Sequence, residues 1–402
     1  MEVVLIHYSY PPVIGGVEMI LRQHAALFAR AGHAVTVLVG SGESDTHARV
    51  ELVPGLEAAN PLHLAMDAEL AAGAPGPAFA DLQRSLATFF AVRLAGAGVV
   101  FVHNVFTMPF HLAATAALWA WAESRPQARV VNWMHDLAAV NPDYTFPQGD
   151  VFPWNLLRRP PAGVRHVAVS DLRRRQFSEL TGLPDCSVVP NGLDAATTLA
   201  LTPPVAALAQ RAGWPDRWPV LFHPTRLLRR KNVEFGLAVT AALRDLGERP
   251  LYVVTGATDS HHVPSRAYAE SLRRIMRELQ LEDAVIFAQD DFAIGDADVA
   301  ALYRMADALF FPSRQEGFGL PLLEASVHRI PAFAPRIEPL TALGGAHWFA
   351  PDAPAAAVAG FLRTTLQDDT VNRLRRETVA RFGWDMVYPR FLAPLLDGGA
   401  GG

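Results

Sequence analysis

Cysteine is almost absent from this sequence, and so is lysine. The chain of 402 residues has one cysteine, Cys186, which excludes an intramolecular disulfide and any cysteine-rich metal site. Of its 35 basic residues, only Lys231 is a lysine and the others are arginines. A lysine head is compact, whereas an arginine head is a planar fork. A position that keeps lysine in such a chain is therefore a candidate for a site that needs the smaller head.

Long apolar runs and an excess of positive charge are also missing. The most apolar stretch, 94–122, is interrupted by polar residues, so the sequence predicts no transmembrane span. A net charge of -5 argues against a dedicated nucleic-acid binder. No basic region precedes the first apolar residues, which predicts that no signal peptide is present. We therefore expect a cytoplasmic protein, for which contact with a membrane surface stays open.

Apolar strand patterns alternate with amphipathic helical patterns along the whole chain. This alternation predicts an α/β fold with parallel, doubly wound sheets, and the length predicts two such domains. The predicted strands are 3–7, 34–39, 99–102, 130–133, 166–169 and 187–189 in the first half and 220–223, 251–255, 284–287, 308–311 and 330–333 in the second.

Domain boundaries are predicted from the position of a proline-rich segment. Residues 202–215 lack a strand pattern and predict the linker. We expect a Rossmann-like N-terminal domain at 1–205 and a second Rossmann-like domain at 206–382. A C-terminal helix and tail at 383–402 would pack back toward the first domain. The loops at the carboxyl ends of the strands, where ligands bind in such sheets, would face each other across a central cleft.

The most informative motif follows the predicted strand 308–311. It reads Glu316-Gly317-Phe318-Gly319-Leu320-Pro321-Leu322-Leu323-Glu324. Pro321 suits the first turn of a helix, which places the glycines in a loop and Glu324 on the opening turn. Free N–H groups there would bind a diphosphate, while the two carboxylates would bind hydroxyl groups. The alternative is a structural glycine loop in which Glu324 only interacts with the helix dipole.

A second motif lies between the strand 220–223 and the helix that starts near Asn232. Arg226 and Lys231 share this loop, where two cations could neutralise the charge on a departing nucleoside diphosphate. The alternative is a solvated basic turn, which is our interpretation of Arg229 and Arg230. As a loop residue, Lys231 is expected to contribute little to stability.

The two motifs, in this order, resemble those of the family 4 retaining glycosyltransferases, which have the GT-B fold. The family signature is two glutamates separated by seven residues, preceded by an Arg-Leu-x-x-x-Lys loop. The resemblance is specific in the second half and looser in the first. It extends over nearly the whole chain, through Pro12, Gly15-Gly16-Val17-Glu18, Asn191-Gly192-Leu193-Asp194 and the helix at Trp384.

This resemblance implies a role for each matching residue. The donor diphosphate would contact Arg226 and Lys231, and Gly16 would let a loop approach the phosphates. Glu316 would contact the transferred sugar, Glu324 the ribose, and the loop 288–292 the base. The implied donor site is Gly16, Arg226, Lys231, Phe292, Glu316, Gly317, Phe318, Gly319, Leu320 and Glu324.

The implied catalytic residues are His135, Arg226, Lys231 and Glu316. His135 would orient the substrate near the reacting carbon rather than act as a base. The acceptor-side candidates are His103, Asn104 and Asp136. No metal or other cofactor is expected, because Asp296-Ala297-Asp298 formally matches a metal-binding Asp-x-Asp motif but precedes a helix that it would cap.

The resemblance implies hexosyl transfer with retained configuration. The donor would be a nucleotide-diphospho-sugar of the GDP-mannose or UDP-glucose type. The acceptor would be a hydroxyl group, with a small soluble sugar or glycosylglycerate favoured over a lipid or polysaccharide. Two rival functions stay open: a nucleotide-sugar epimerase or phosphorylase with the GT-B fold, and a non-catalytic sugar-nucleotide binding protein.

Overall fold

Buried apolar runs form two parallel sheets, one in each of two units of the chain. The computed structural model describes residues 1–145, 147, 149–184, 186–256 and 263–397. The first unit comprises residues 1–192 and 384–402, and the second comprises 193–383.

The sheet of the first unit runs in the order β3-β2-β1-β4-β5-β6-β7, with parallel pairing throughout the described strands. The strands are β1 (Glu2–Ile6), β2 (Ala34–Val39), β3 (Arg49–Leu52), β4 (Val99–His103), β5 (Val130–Met134), β6 (Arg165–Ala168) and β7 (Ser187–Val188). The helices are α1 (Gly16–Arg30), α2 (Pro61–Ala71), α3 (Pro77–Arg93), α4 (Leu112–Glu123) and α5 (Asp171–Thr181).

The sheet of the second unit runs in the order β10-β9-β8-β11-β12-β13 and is also parallel in its described pairs. The strands are β8 (Val220–His223), β9 (Leu251–Val254), β10 (Val285–Phe287), β11 (Ala308–Phe310), β12 (Ala332–Pro335) and β13 (His347–Phe349). The helices are α6 (Ala195–Thr198), α7 (Pro203–Arg211), α8 (Val233–Asp245), α9 (Val263–Glu278), α10 (Asp296–Met305), α11 (Leu320–Val327), α12 (Leu340–Leu343), α13 (Ala355–Asp368) and α14 (Thr370–Phe382).

Each sheet is covered by helices on both faces, which explains why its central strands are buried at nearly every position and mostly apolar. In β1, Val4 and Ile6 pack into one apolar cluster while Val3 and Leu5 pack into another on the opposite face. Successive strand residues point to opposite faces, so a strand buried on both sides shows no alternation in its sequence.

The C-terminal segment belongs to the first unit. It consists of α15 (Trp384–Val387), a π-helical turn (Tyr388–Leu392) and α16 (Ala393–Leu396). Trp384 and Leu392 are buried in the same cluster as Val3 and Phe101. The segment is thus part of the core that covers one face of the first sheet. Residues 398–402 of the predicted tail lie outside the described part of the chain.

Two predictions about local structure are wrong. Residues 202–215 are not an irregular linker, because α7 buries Val205 and Leu208 in a core of the second unit. The division between the units falls at 192/193, ahead of the predicted position.

Two strands that the sequence did not predict lie at sheet edges. β3 reads Arg-Val-Glu-Leu, and β13 is short and follows two glycines. An edge strand needs no continuous apolar run, because one side of it has no neighbouring strand. Within the described ranges, no helix combines the length and the apolar character needed to cross a bilayer.

Candidate active site

The loops that follow β8 and β11 lie against each other in the second unit. The main-chain N–H of Arg314 donates to the carbonyl oxygen of Arg230 at 2.8 Å. Asn232, in the left-handed conformation with φ of 56°, begins α8 and donates from its side-chain amide to the carbonyl of Pro312 at 3.1 Å. These bonds connect the predicted arginine–lysine loop to the loop that carries Glu316.

Lys231 and Glu316 form a close ion pair. The Nζ of Lys231 lies 2.5 Å from Oε1 of Glu316, and the side chains are 13% and 7% exposed. The ammonium group also lies 5.1 Å from the centre of the Phe311 ring. The chain therefore brings together two predicted catalytic residues that are 85 positions apart in sequence.

The two neighbouring arginines of this loop differ from their predicted roles. Arg230 is not simply a solvated base, because its Nη1 lies 3.6 Å from Oε2 of Glu316 and donates to the carbonyl of Gln315. Arg229 lies over the Tyr268 ring. Arg226 is exposed, and none of the residues that the structure describes pairs with its guanidinium group. Arg226 is thus the cation of this loop that is available to a ligand.

The glycine loop leads into α11 as the motif predicts. Gly319 is the N-cap, with a φ of 108°, and a Cβ placed on it would lie 2.5 Å from Leu340. A side chain is therefore excluded there both by the left-handed backbone and by the lack of space. In the described structure, the main-chain N–H groups of 317–320 donate to no protein group. They form a set of free donors at the positive end of a helix, which suits a phosphate.

Glu324 lies one turn into α11, at the fifth helical residue rather than on the opening turn. Its Oε2 accepts a hydrogen bond of 2.8 Å from the hydroxyl of Tyr303. Burial and the adjacent carboxylate raise the pKa of Tyr303, so this hydroxyl remains a donor. Glu324 and Tyr303 line a pocket of about 450 Å³ together with Pro224, Leu320, Pro321 and His328, among others. This volume is within the range of small-ligand sites.

Phe292 lies just ahead of α10 in the second unit, and the Asp-x-Asp sequence is the first turn of that helix. Phe292 packs against the apolar cluster of α10 and is not among the described residues that line the 450 Å³ pocket. Asp298 accepts the N–H of Gly295 at 2.9 Å and the hydroxyl of Thr202 at 2.5 Å. One oxygen of Asp298 thus caps α10, as the sequence predicts for this motif, and the other binds Thr202 at the start of α7.

In the first unit, Gly16 is the first residue of α1 and is exposed. A Cβ on Gly16 would meet nothing within 4 Å, whereas a Cβ on Gly15 would collide with Glu18. The Glu18 carboxylate accepts the hydroxyl of Ser9 at 2.6 Å and lies 3.8 Å from Nε2 of His7. In this loop the Glu18 side chain therefore packs closely against Gly15, while the space next to Gly16 is open to a ligand.

His135 follows β5 and is only partly exposed. Burial, with a smaller contribution from His7, lowers its pKa to about 3. The ring is therefore neutral at physiological pH. A base with this pKa removes protons poorly near pH 7. This property agrees with the prediction that His135 orients a substrate rather than abstracting a proton.

The acceptor-side candidates His103 and Asn104 are buried, with 0% and 5% of their surface exposed. Nδ1 of His103 lies 3.1 Å from Nε2 of His135, and Oδ1 of Asn104 accepts the main-chain N–H of His135 at 2.8 Å. These side chains contact the protein and leave no surface for an acceptor. The structure therefore contradicts the prediction that His103 and Asn104 bind the acceptor.

Asp136 is the third acceptor-side candidate and is half-buried. Its carboxylate pairs with Arg173 at 2.8 Å and accepts the main-chain N–H of Leu137 at 2.8 Å. Sequence reasoning missed Arg173, Tyr303 and Arg230 as neighbours of site residues. Tyr303 lies in an amphipathic helix, where a tyrosine is typical of core packing, and Arg173 lies in a run of arginines that gives no reason to single it out.

Two family models match the chain, one for each half. The model described as "Glycosyltransferase Family 4" matches residues 14–197, and the model described as "Glycosyl transferases group 1" matches residues 206–343. The chain belongs to the family 4 glycosyltransferases. The two parallel-sheet units are those of the GT-B fold, and the resemblance inferred from the motifs is confirmed.

The chain is similar to curated proteins that are named as glycosyltransferases or as a synthase of a glycosylated glycerate. It is 32% identical to a D-inositol 3-phosphate glycosyltransferase of Kineococcus radiotolerans over 56% of this chain and 54% of that protein, so it spans about half the length of this relative. It is 27% identical to a protein of the same name from Acidothermus cellulolyticus over 95% of this chain and 86% of that one. It is 22% identical to a mannosylglucosylglycerate synthase of Petrotoga mobilis over 58% of each chain.

Proposed function

We propose that the chain transfers a hexosyl group from a nucleotide-diphospho-sugar to a hydroxyl acceptor, with retained configuration and without a metal ion. The observation that carries the proposal is the arrangement around Lys231. An exposed cation, a lysine–glutamate pair and the free N–H groups of a helix N-terminus lie on connected loops of one unit. A diphosphate needs such donors, and a sugar hydroxyl needs such a carboxylate.

The cations of this loop would perform the work that a metal ion does in other transferases. Arg226 and Lys231 would stabilise the negative charge that develops on the departing diphosphate. Asp298 would take no part, because its carboxylate is occupied by Gly295 and Thr202. Asp296 lies on the wall of the 450 Å³ pocket, where it is without the second carboxylate that the motif supplies to a metal ion.

Retention is supported by what the candidate residues are able to do. A retaining glycosidase uses a nucleophilic carboxylate close to a carboxylic acid. Here Glu316 is held by Lys231, and Glu324 by Tyr303. His135 is a poor base because of its low pKa. We therefore propose attack from the face of the departing group, with a phosphate oxygen of the donor accepting the proton of the acceptor hydroxyl.

The acceptor is proposed to be a small hydroxylated molecule, such as a sugar or a glycosylglycerate. A pocket of about 670 Å³ in the first unit is lined by residues of the loops after β4 and β5, including Pro109 and Tyr144. Its described walls carry the carboxylate of Asp67 and no arginine. This charge favours a neutral sugar over a phosphorylated acceptor. The names of the three relatives reported above favour small acceptors over lipids, although D-inositol 3-phosphate is phosphorylated and differs in this respect from the acceptor that the pocket favours.

The rival functions differ from a transferase in the residues that they require. A non-catalytic sugar-nucleotide binding protein needs the donor site but not a neutral histidine held by two neighbours. A phosphorylase of this fold needs a phosphate or pyridoxal site, and Lys231, the only lysine, is already paired with Glu316. Screening nucleotide sugars for hydrolysis and transfer, with binding measured in parallel, separates a transferase from both rivals.

Nucleoside diphosphates are expected to bind in the absence of divalent metal ions. The reason is that arginine, lysine and main-chain N–H groups supply the positive charge. Isothermal titration of UDP and GDP in excess chelator tests this expectation, with the Asp298→Asn variant as a control that should bind equally well. Loss of all affinity in chelator, restored by Mg²⁺, would contradict metal-independent binding.

Replacing Glu324 by alanine is expected to weaken donor binding by about 1.5–3 kcal/mol, the contribution of a hydrogen bond to a charged group. The Tyr303→Phe variant keeps the carboxylate and removes only its partner, so its loss should be smaller. A 2′,3′-dideoxy nucleotide should lose little further affinity on Glu324→Ala, as measured by titration calorimetry. Fully additive losses would show that Glu324 does not contact the ribose.

A further inference from the structure

Two consecutive residues at the end of β4 hold His135 at the end of β5. In the sheet, His103 is paired in register with Trp133, so the residues that follow the two strands meet. His103 contacts the His135 ring at 3.1 Å, and Oδ1 of Asn104 accepts the main-chain N–H groups of His135 at 2.8 Å and of Asp136 at 3.2 Å. Both the ring and the backbone of His135 are therefore fixed by neighbours.

The conformation of Asn104 limits which residue can do this. Its φ is 62°, and its carbonyl oxygen accepts N–H groups from Thr107 and Met108 at 2.9 Å each. Glycine, asparagine and aspartate adopt this left-handed conformation most readily. Of these, only asparagine and aspartate also offer a side-chain oxygen for the two N–H groups.

The position of the protons follows from the buried nitrogens. Nε2 of His103 is buried and has no partner among the described residues. If His135 donated to His103, the proton of His103 would lie on that Nε2 and a buried N–H would be left without an acceptor. Orphaned buried N–H groups are rarer than unsatisfied acceptors. His103 is thus the donor, through Nδ1, and Nε2 of His135 is the acceptor.

The charge state agrees with this assignment. Burial lowers the pKa of His103 well below its usual value and that of His135 to about 3, so each ring carries a single proton near pH 7. With its Nε2 accepting, His135 carries its proton on Nδ1. That nitrogen is not among the buried atoms of the described structure, and it has no protein partner there.

We propose that His103 and Asn104 are positioning residues, which hold His135 as the neutral tautomer with Nδ1–H available as a donor to an oxygen atom of the bound sugar. Of these statements, only the contact between Nδ1–H and a bound sugar rests on the proposed function. A neutral N–H group can orient a hydroxyl or phosphate oxygen without taking up its proton. The tautomer itself is a property of the first unit and is measurable without any substrate.

Long-range ¹H–¹⁵N NMR of protein labelled with ¹⁵N-histidine tests the tautomer at pH 7.5, with the His135→Asn variant used to assign the signals. We expect a protonated Nδ1 on His135 in the unmodified chain. His103→Leu removes the donor, so the proton of His135 should no longer be confined to Nδ1 and both tautomers should be populated. His103→Asn places an amide N–H near the original Nδ1 and should preserve the tautomer. A protonated Nε2 on His135 in the unmodified chain would overturn the proposal.

Turnover of UDP-glucose and GDP-mannose supplies the second readout. His103→Leu and Asn104→Ala should lower kcat by about 10²-fold, the effect of a small misplacement of a substrate-positioning group, with the Kd of the nucleoside diphosphate unchanged. His103→Asn and Asn104→Asp should retain most of the activity. A merely structural role would lower melting temperature and activity together in all four variants, and this result would overturn the proposal.

A changed tautomer with full turnover would also overturn the positioning role. Failure of the proposed function is a distinct result, because the unmodified chain would then turn over no nucleotide sugar. The NMR measurement still decides the arrangement of His103 and His135 in that case. If His103→Leu does not fold, as judged by near-ultraviolet circular dichroism, the Asn104→Ala and Asn104→Asp pair decides the question by the same two readouts.

Discussion

Replacing Lys231 by alanine is expected to lower kcat by about 10²–10³-fold, and replacing it by arginine should not restore the activity. The loss is that of one preorganised donor to the charge that develops in the transition state. Arginine fails because the head group lies between Oε1 of Glu316, at 2.5 Å, and the Phe311 ring, at 5.1 Å. With 13% of the side chain exposed, this space does not admit a planar fork.

The same ion pair changes the expected effect on stability. The sequence alone predicts that a loop lysine contributes little, but the carboxylate of Glu316 is 7% exposed and loses its closest partner in Lys231→Ala. Arg230, with its Nη1 3.6 Å from the other oxygen, compensates in part. We therefore expect a loss of about 1–3 kcal/mol in the free energy of unfolding, measured by urea denaturation.

Arg230→Lys is the matched control for Lys231→Arg, since it makes the opposite exchange at the neighbouring position. It should keep kcat/KM close to that of the unmodified chain, because Arg230 is half exposed. Measuring kcat/KM for both variants under the same conditions decides the role of the lysine. Near-normal activity in Lys231→Arg would contradict the claim that this position requires a compact cation.

Acid is expected to destabilise the first unit strongly between pH 7 and pH 5. Burial lowers the pKa of His24 and His135 to about 3 and that of His111 and His166 to about 4. The unfolded chain binds a proton at each of these residues near pH 6.5, and the folded chain does not. Stability is therefore full above pH 6.5 and decreases as the pH falls toward 4.

The size of this effect follows from the shifts. At pH 5 each of the four histidines destabilises the folded state by about 2 kcal/mol, so together the loss is on the order of 8 kcal/mol. This is comparable to the whole stability of an ordinary domain. Urea unfolding at pH 7 and pH 5 measures the loss directly. A free energy of unfolding that stays constant over this range would contradict the neutral state of these residues.

His24 offers a single-residue version of this experiment. Both of its ring nitrogens are buried without a partner in the described structure, and its ring packs on Trp133 at 4.6 Å. The difference in the free energy of unfolding between His24→Leu and the unmodified chain should therefore shift in favour of the variant by about 2 kcal/mol from pH 7 to pH 5. Leu21→Ala, a buried change in the same helix, should cost the same at both pH values.

The predictable part of the fold is the part that is buried on both sides. The central strands of each sheet are mostly apolar, and the sequence predicts them at nearly their observed bounds. The edge strands β3 and β13 were missed, because partial solvent exposure allows charged residues or short runs there. The helix α7 was mistaken for a linker because two prolines open it, although proline is well tolerated in the first turn.

In the candidate site, sequence reasoning identified residues better than it identified their contacts. Lys231, Glu316 and Glu324 were predicted from their loops, but the pairing of Lys231 with Glu316 depends on how two distant loops meet. His103 illustrates the limit most clearly. The sequence around a histidine at a strand end is the same whether its ring contacts a ligand or another histidine. Only the position of the neighbouring strand end distinguishes these two contacts.

The first unit consists of two segments that are far apart in sequence, and this affects how the chain folds during its synthesis. The second unit is continuous, so all of its residues emerge one after another. The first unit emerges first, but Trp384 and Leu392, which complete one of its cores, follow only after the whole second unit has been made. At usual rates of synthesis that interval is roughly 10–40 s. During this time the face of the first sheet that those residues later cover is exposed, and it stays exposed until residues 384–396 have left the ribosome.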